Sequence, residues 1–139
     1  MRKRVIVSLG AASLMAAGIG GVAVATAARE SATAKKTVTL TEFKISKIGS
    51  FSSGTSSVTF TLKNGGKFPH NFVVVSGPTK SPAAGAIQIS PGKSKTVTMS
   101  LKPGAYLVTC QVGKGYHYSQ GMVTSFTVGT FNPSTGTWS

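Results

Sequence analysis

The sequence predicts an all-β chain, a Greek-key antiparallel β-sandwich or barrel, and three observations point there. Short runs of β-branched and aromatic residues alternate with polar ones at a period of two. Clusters of Gly, Pro and Asn interrupt those runs at short intervals. No stretch after Ala28 carries a 3.6-residue apolar period.

The elements follow in order. Residues 28–36 are polar and form a flexible lead-in, and Thr37-Val38-Thr39-Leu40 then opens the first strand. Over residues 57–62, Val58, Phe60 and Leu62 alternate with Thr59 and Thr61, so that strand buries one face. Asn64-Gly65-Gly66 ends it with residues that tolerate positive φ. An apolar strand restarts after Pro69 and covers residues 71–75, and residues 76–85, with Pro78, Pro82 and two glycines, form a loop. Pro91-Gly92 turns the chain into residues 96–101, where Val97, Met99 and Leu101 alternate. Pro103-Gly104 turns it again into residues 105–110, and a last strand over residues 123–128 precedes a polar tail at 129–139. The folded domain is expected to span residues 37–128.

Composition excludes much chemistry. The 139 residues hold 15 Lys+Arg against 2 Asp+Glu, one cysteine and two histidines, which is a single domain at most. There is no aspartate, and the only carboxylates are Glu30 and Glu42. That leaves no carboxylate pair for glycoside hydrolysis, no acidic cage for calcium or magnesium and no Ser-His-Asp triad. One cysteine makes neither an internal disulfide nor a four-thiolate zinc site, so a metal here must be held by mixed, scarce ligands.

Arg2, Lys3 and Arg4 precede an apolar, small-residue stretch at 5–25 that ends in Ala25-Thr26-Ala27. Residues 1–27 therefore fit a signal peptide cut after Ala27, or an N-terminal membrane anchor that is retained. Both readings place the rest outside the cytoplasm, secreted, periplasmic or in the cell envelope, because the basic end stays inside. An oxidising compartment favours pairing or oxidation of a free thiol, so something is expected to occupy Cys110. From Ala28 onward twelve cations face two glutamates, a net charge of +10. The lysines are scattered singly and no arginine follows Arg29, so the charge is read as a solvated basic surface and not as a nucleic-acid site.

The functional signal lies in where the rare residues fall. His70 begins one strand, Cys110 ends another, and His117 and Met122 lie in the loop before the last. Taken singly, each is ordinary: a buried thiol, a satisfied histidine, a core methionine. Taken together, two imidazoles and a thiolate with a long thioether contact make a set that suits copper cycling between Cu(I) and Cu(II). Zinc is the other ion that two histidines and one cysteine can hold.

Phe68-Pro69-His70-Asn71-Phe72, Lys102-Pro103-Gly104-Ala105-Tyr106, and Cys110 through His117-Tyr118-Ser119-Gln120-Gly121-Met122 resemble the cupredoxin (plastocyanin-like, blue copper) family over about residues 37–128. The resemblance implies one copper ion with His70, Cys110, His117 and Met122 as ligands, and Asn71 hydrogen-bonding across to the cysteine loop. It also implies that the His117 ring edge reaches the surface as the electron port, with Phe68, Pro69, Tyr116, Tyr118 and Met122 as an apolar docking patch around it. The departure is six residues between Cys110 and His117, where many small cupredoxins have two to four; Gly113-Lys114-Gly115 is expected to bend that loop back.

The function so implied is that of an exported, monomeric one-electron carrier and not an enzyme, since no histidine remains after His70 and His117 to build further copper sites. Its basic surface predicts a redox partner protein with an acidic docking face, or association with an anionic membrane or cell envelope, weakening as salt rises. A copper-handling or delivery protein and a metal-free structural β-sandwich are the alternatives.

Overall fold

A computed structural model describes residues 32–79 and 87–139. Strands β1 (Ala32–Thr41), β2 (Lys44–Ile45), β3 (Gly49–Phe51) and β4 (Thr55–Asn64) come first, followed by β5 (His70–Asn71), β6 (Val73–Ser76) and β7 (Gln88–Ile89). Then come β8 (Ser94–Ser100), β9 (Gly104–Thr109), one helical turn α1 (Tyr116–Ser119), β10 (Val123–Val128), and the hairpin β11 (Phe131–Asn132) and β12 (Thr137–Trp138). One four-stranded sheet runs β2-β1-β4-β8 and the other β3-β10-β9-β6, with β5-β7 and β11-β12 as small additional pairs.

This is the expected β-sandwich, but its sheets are mixed: β1 pairs in parallel with β4, and β3 with β10, while the other pairs are antiparallel. Alternation in β4 buries Val58, Phe60 and Leu62 on one face, as its period of two dictates. From the facing sheet, Tyr106, Val108, Phe126 and Val128 close the core. Aromatic rings join the layers. Phe60 meets Phe126 at 5.7 Å, Phe72 at 5.3 Å and Phe51 at 6.2 Å, and Phe126 stacks on Tyr106 at 4.8 Å and 6°. The Tyr106 hydroxyl donates to the Lys102 carbonyl at 2.6 Å, so its polar end is satisfied while its ring is buried.

Three expectations are corrected. The lead-in assigned to residues 28–36 is strand from Ala32 onward, because main-chain pairing with β4 holds polar residues that bury little. The polar tail at 129–139 is a hairpin, closed by Phe131 against Trp138 at 5.3 Å and by Thr130 and Ser139 exchanging main-chain hydrogen bonds. The strand expected over 71–75 is two strands, since the chain leaves β7 and joins β9 on either side of the buried Phe72. The expected export or anchor segment at residues 1–27 and the loop residues 80–86 lie outside the described residues. Among the described residues no helix is long and apolar enough to cross a membrane.

Truncating Phe126 to alanine removes the ring that touches Phe51, Phe60 and Tyr106, and is expected to cost about 3–5 kcal/mol of unfolding free energy. Tyr106→Phe keeps the ring and loses only the hydroxyl bonds, at about 1 kcal/mol. Urea denaturation of the two variants checks the order; equal losses would mean that the aromatic cluster does not carry the core.

Candidate metal centre

His70, Cys110 and His117 come from three places in the fold. His70 is fully buried in β5, where it pairs with Ile89. Cys110 directly follows β9, and its N–H donates to the Met122 carbonyl at 3.1 Å. His117 sits on α1, after a reversal in which Gly113, Lys114 and Gly115 all take left-handed φ of 69°, 55° and 89°. The N–H groups of Gly115, Tyr116 and His117 donate back to Gln111, Gly113 and Val112. This compact reversal absorbs the long Cys110–His117 spacing and returns the imidazole to the thiol.

The donor atoms converge. Cys110 Sγ lies 3.4 Å from His117 Nδ1 and 3.8 Å from His70 Nδ1, and the two Nδ1 atoms are 3.1 Å apart. All three side chains are buried and their donor atoms lie within 4.8 Å of one another. Asn71 joins the segments that carry them: its N–H points to Cys110 Sγ at 3.4 Å, and its Oδ1 accepts the Gln111 N–H at 2.7 Å. Met122 is fully buried and tied through its main chain to both Cys110 and His117, the latter by its N–H at 3.0 Å. It is therefore no part of a surface patch, which corrects that expectation. Phe68, Tyr116 and Tyr118 are exposed, at 57%, 55% and 49%. His117 itself keeps only 6% of its surface accessible, with the Phe43 ring edge-on to it at 5.2 Å.

Two residues at the site went unread in the sequence, Phe43 and Glu42. Glu42 lies in the turn between β1 and β2, and its Oε1 accepts the N–H groups of Lys67 and Phe68 at 2.6 and 2.8 Å. The same oxygen lies 3.3 Å from His70 Nε2, off the line of the N–H, so the contact is electrostatic more than a well-aligned hydrogen bond. Asn64 holds the loop that supplies those amides, donating to the Phe68 and Ile89 carbonyls and accepting the Gly66 N–H. Gly66 does not use the positive φ that glycine tolerates; a Cβ there would collide with the Glu42 carboxylate. The readable signal was scarcity, since Glu42 is one of only two acidic residues in the chain.

The electrostatics follow from these partners. The Phe68 N–H, with lesser help from other amides and His70, draws the Glu42 carboxyl down from 4.5 to about 2. Burial, then the neighbouring His117, push His70 below its ordinary 6.5, against the opposing pull of Glu42. Two imidazoles and one sulfur, without a carboxylate oxygen among them, form a donor set for a borderline or soft ion, not for calcium or magnesium.

Both shifts have the same sign in stability. Each group binds protons more readily in the unfolded chain, so stability is fully present above about pH 6.5, declines below it as unfolded His70 takes up its proton, and declines further from 4.5 toward 2 as Glu42 does. The metal-free protein is expected to melt at progressively lower temperature from pH 7 to pH 3, with Glu42→Gln flattening the part below 4.5. An unchanged slope in that variant would contradict the assignment.

No protein-family model matches the chain, and no curated protein matches it by sequence. By structure it is similar to the dithionite-reduced auracyanin of the photosynthetic bacterium Roseiflexus castenholzii, with TM-score 0.55 and 21% identity over 69% of this chain and 97% of that one. It is also similar to auracyanin A, a "blue" copper protein of Chloroflexus aurantiacus, with TM-score 0.54 and 20% identity over 70% and 99%. A multicopper oxidase matches at TM-score 0.54 and 18% identity over 70% of this chain and only 42% of its own. At these identities the likeness is one of architecture, and the chain has the cupredoxin fold.

Proposed function

We propose that the protein is an exported one-electron carrier for a single copper ion, which His70 Nδ1, His117 Nδ1, Cys110 Sγ and the Met122 thioether would hold. The observation that carries this reading is the buried convergence of two Nδ1 atoms and one sulfur within 4.8 Å, on the fold of blue copper proteins. When bound, copper supplies a one-electron couple, with sulfur favouring Cu(I) and imidazole serving both states. The residues do the rest. Asn71 aims an N–H at the sulfur and pins Gln111, which fixes Cys110 against β5. Phe43 and Tyr116 pack against the His117 ring, which keeps 6% of its surface accessible beside the exposed Phe68, Tyr116 and Tyr118 and would be the exit for an electron.

Burial of all three donors favours retention of the ion over its delivery. The oxidase match spans less than half of that enzyme, and this chain has no third histidine for further copper sites, so a carrier role is preferred to catalysis. Export rests on the Arg2-Lys3-Arg4 and apolar 5–25 pattern, and an acidic partner on the net charge of +10 from Ala28 onward.

The full chain with one equivalent of Cu(II) is expected to show an intense red absorption band that Cys110→Ser abolishes. Copper binding without that band, or no binding, would leave delivery or a metal-free sandwich in its place. Electron transfer to an acidic redox protein is expected to slow as ionic strength rises through the range where the Debye length falls below about 10 Å; a salt-independent rate would remove the charge-guided partner.

A further inference from the structure

Glu42 is the one acidic side chain among the described residues, in a chain with 15 Lys+Arg. A glutamate in such a chain has many cations available, yet among the described residues its ion-pair partner is the ring of His70. The carboxylate does not depend on that ring for its position. The Lys67 and Phe68 amides hold the same oxygen that faces the ring, Asn64 holds the loop that carries them, and Gly66 leaves the carboxylate room.

We propose that Glu42 is the positioning residue of the metal centre, keeping the His70 proton on Nε2, turning Nδ1 inward as a bare donor, and biasing bound copper toward Cu(II). The first two parts follow from donor and acceptor roles. An ionised carboxylate only accepts, so the His70 nitrogen that faces it carries the proton. Nδ1 is then free of hydrogen, and it is the atom that faces His117 Nδ1 and Cys110 Sγ. The third part rests on the copper reading above and is a matter of charge. Cu(II) with one thiolate and one carboxylate is neutral in sum, whereas Cu(I) leaves a net negative charge at a buried site, which is the costlier state. A carboxylate behind a ligating histidine also makes the imidazole a stronger donor.

The test uses the full chain as wild type, Glu42→Gln and Glu42→Ala. Nitrogen NMR of the metal-free protein reads the His70 tautomer: the expected result is a proton on Nε2 in the wild type and a mixture in Glu42→Ala. A wild-type proton on Nδ1, or an unaltered tautomer in Glu42→Ala, would overturn the positioning role. In the copper-loaded protein, Glu42→Gln keeps its shape and an acceptor for the two amides but loses the charge. It is expected to shift the Cu(II)/Cu(I) preference about tenfold toward Cu(I), a potential about 59 mV more positive. An unchanged potential, with the red band present in both proteins, would overturn the bias while leaving the copper reading intact. Absence of the band in the wild type sinks the copper reading instead, and the tautomer measurement then decides the positioning role alone. Should Glu42→Ala fail to fold, the potential of Glu42→Gln decides.

Discussion

The two-way bridge from Asn71 to the Cys110 segment is the constraint on which the site depends. One residue sends its N–H to the sulfur and takes the next N–H in the chain onto its side-chain oxygen. The 2.7 Å bond sets how far β5 can sit from the end of β9, and the weaker N–H···S contact gives a buried thiol a polar neighbour. His70 precedes Asn71 on the same short strand, so its imidazole is placed by the same bridge. His117 then closes on the sulfur through a reversal stabilised by its own main chain. The donor cluster is thus tied together by hydrogen bonds between the segments that carry it.

Such a site suits electron transfer because a rigid donor set changes little between oxidation states. The sandwich supplies that rigidity. Aromatic rings interlock between the sheets beneath the site, and Met122, Cys110 and His117 are linked through main-chain bonds. Charge is arranged on two scales: dispersed lysines make the surface basic, and the one acidic side chain among the described residues faces the Nε2 edge of His70.

Much of this was legible in the sequence where burial enforces a period. Val58, Phe60 and Leu62 alternate because one face of β4 is dry, and the last strand was expected over the residues 123–128 that β10 occupies. The three scarce residues pointed to the site because two histidines and one cysteine have few other ways to sit in strand-and-loop order. What was not legible lacks a local signature. Strands β2, β3 and β7 are two or three residues long, too short to show a period. The parallel pairing of β1 with β4 is a long-range choice, and residues 32–36 are held by main-chain bonds that polar side chains do not advertise. Glu42 lies 28 positions before the histidine it faces, so only its rarity marked it, and Gly66 looked like a turn residue because its true reason is a neighbour distant in sequence.

The measurement that bears most directly on the central claim is X-ray absorption at the copper edge of the loaded protein, recorded oxidised and then reduced. The expected result is one short sulfur and two nitrogen neighbours in both states, with distances that barely change, since the protein and not the ion sets the donor positions. Loss of the sulfur neighbour, or a change in coordination number on reduction, would contradict a preformed electron-transfer site built from His70, Cys110 and His117.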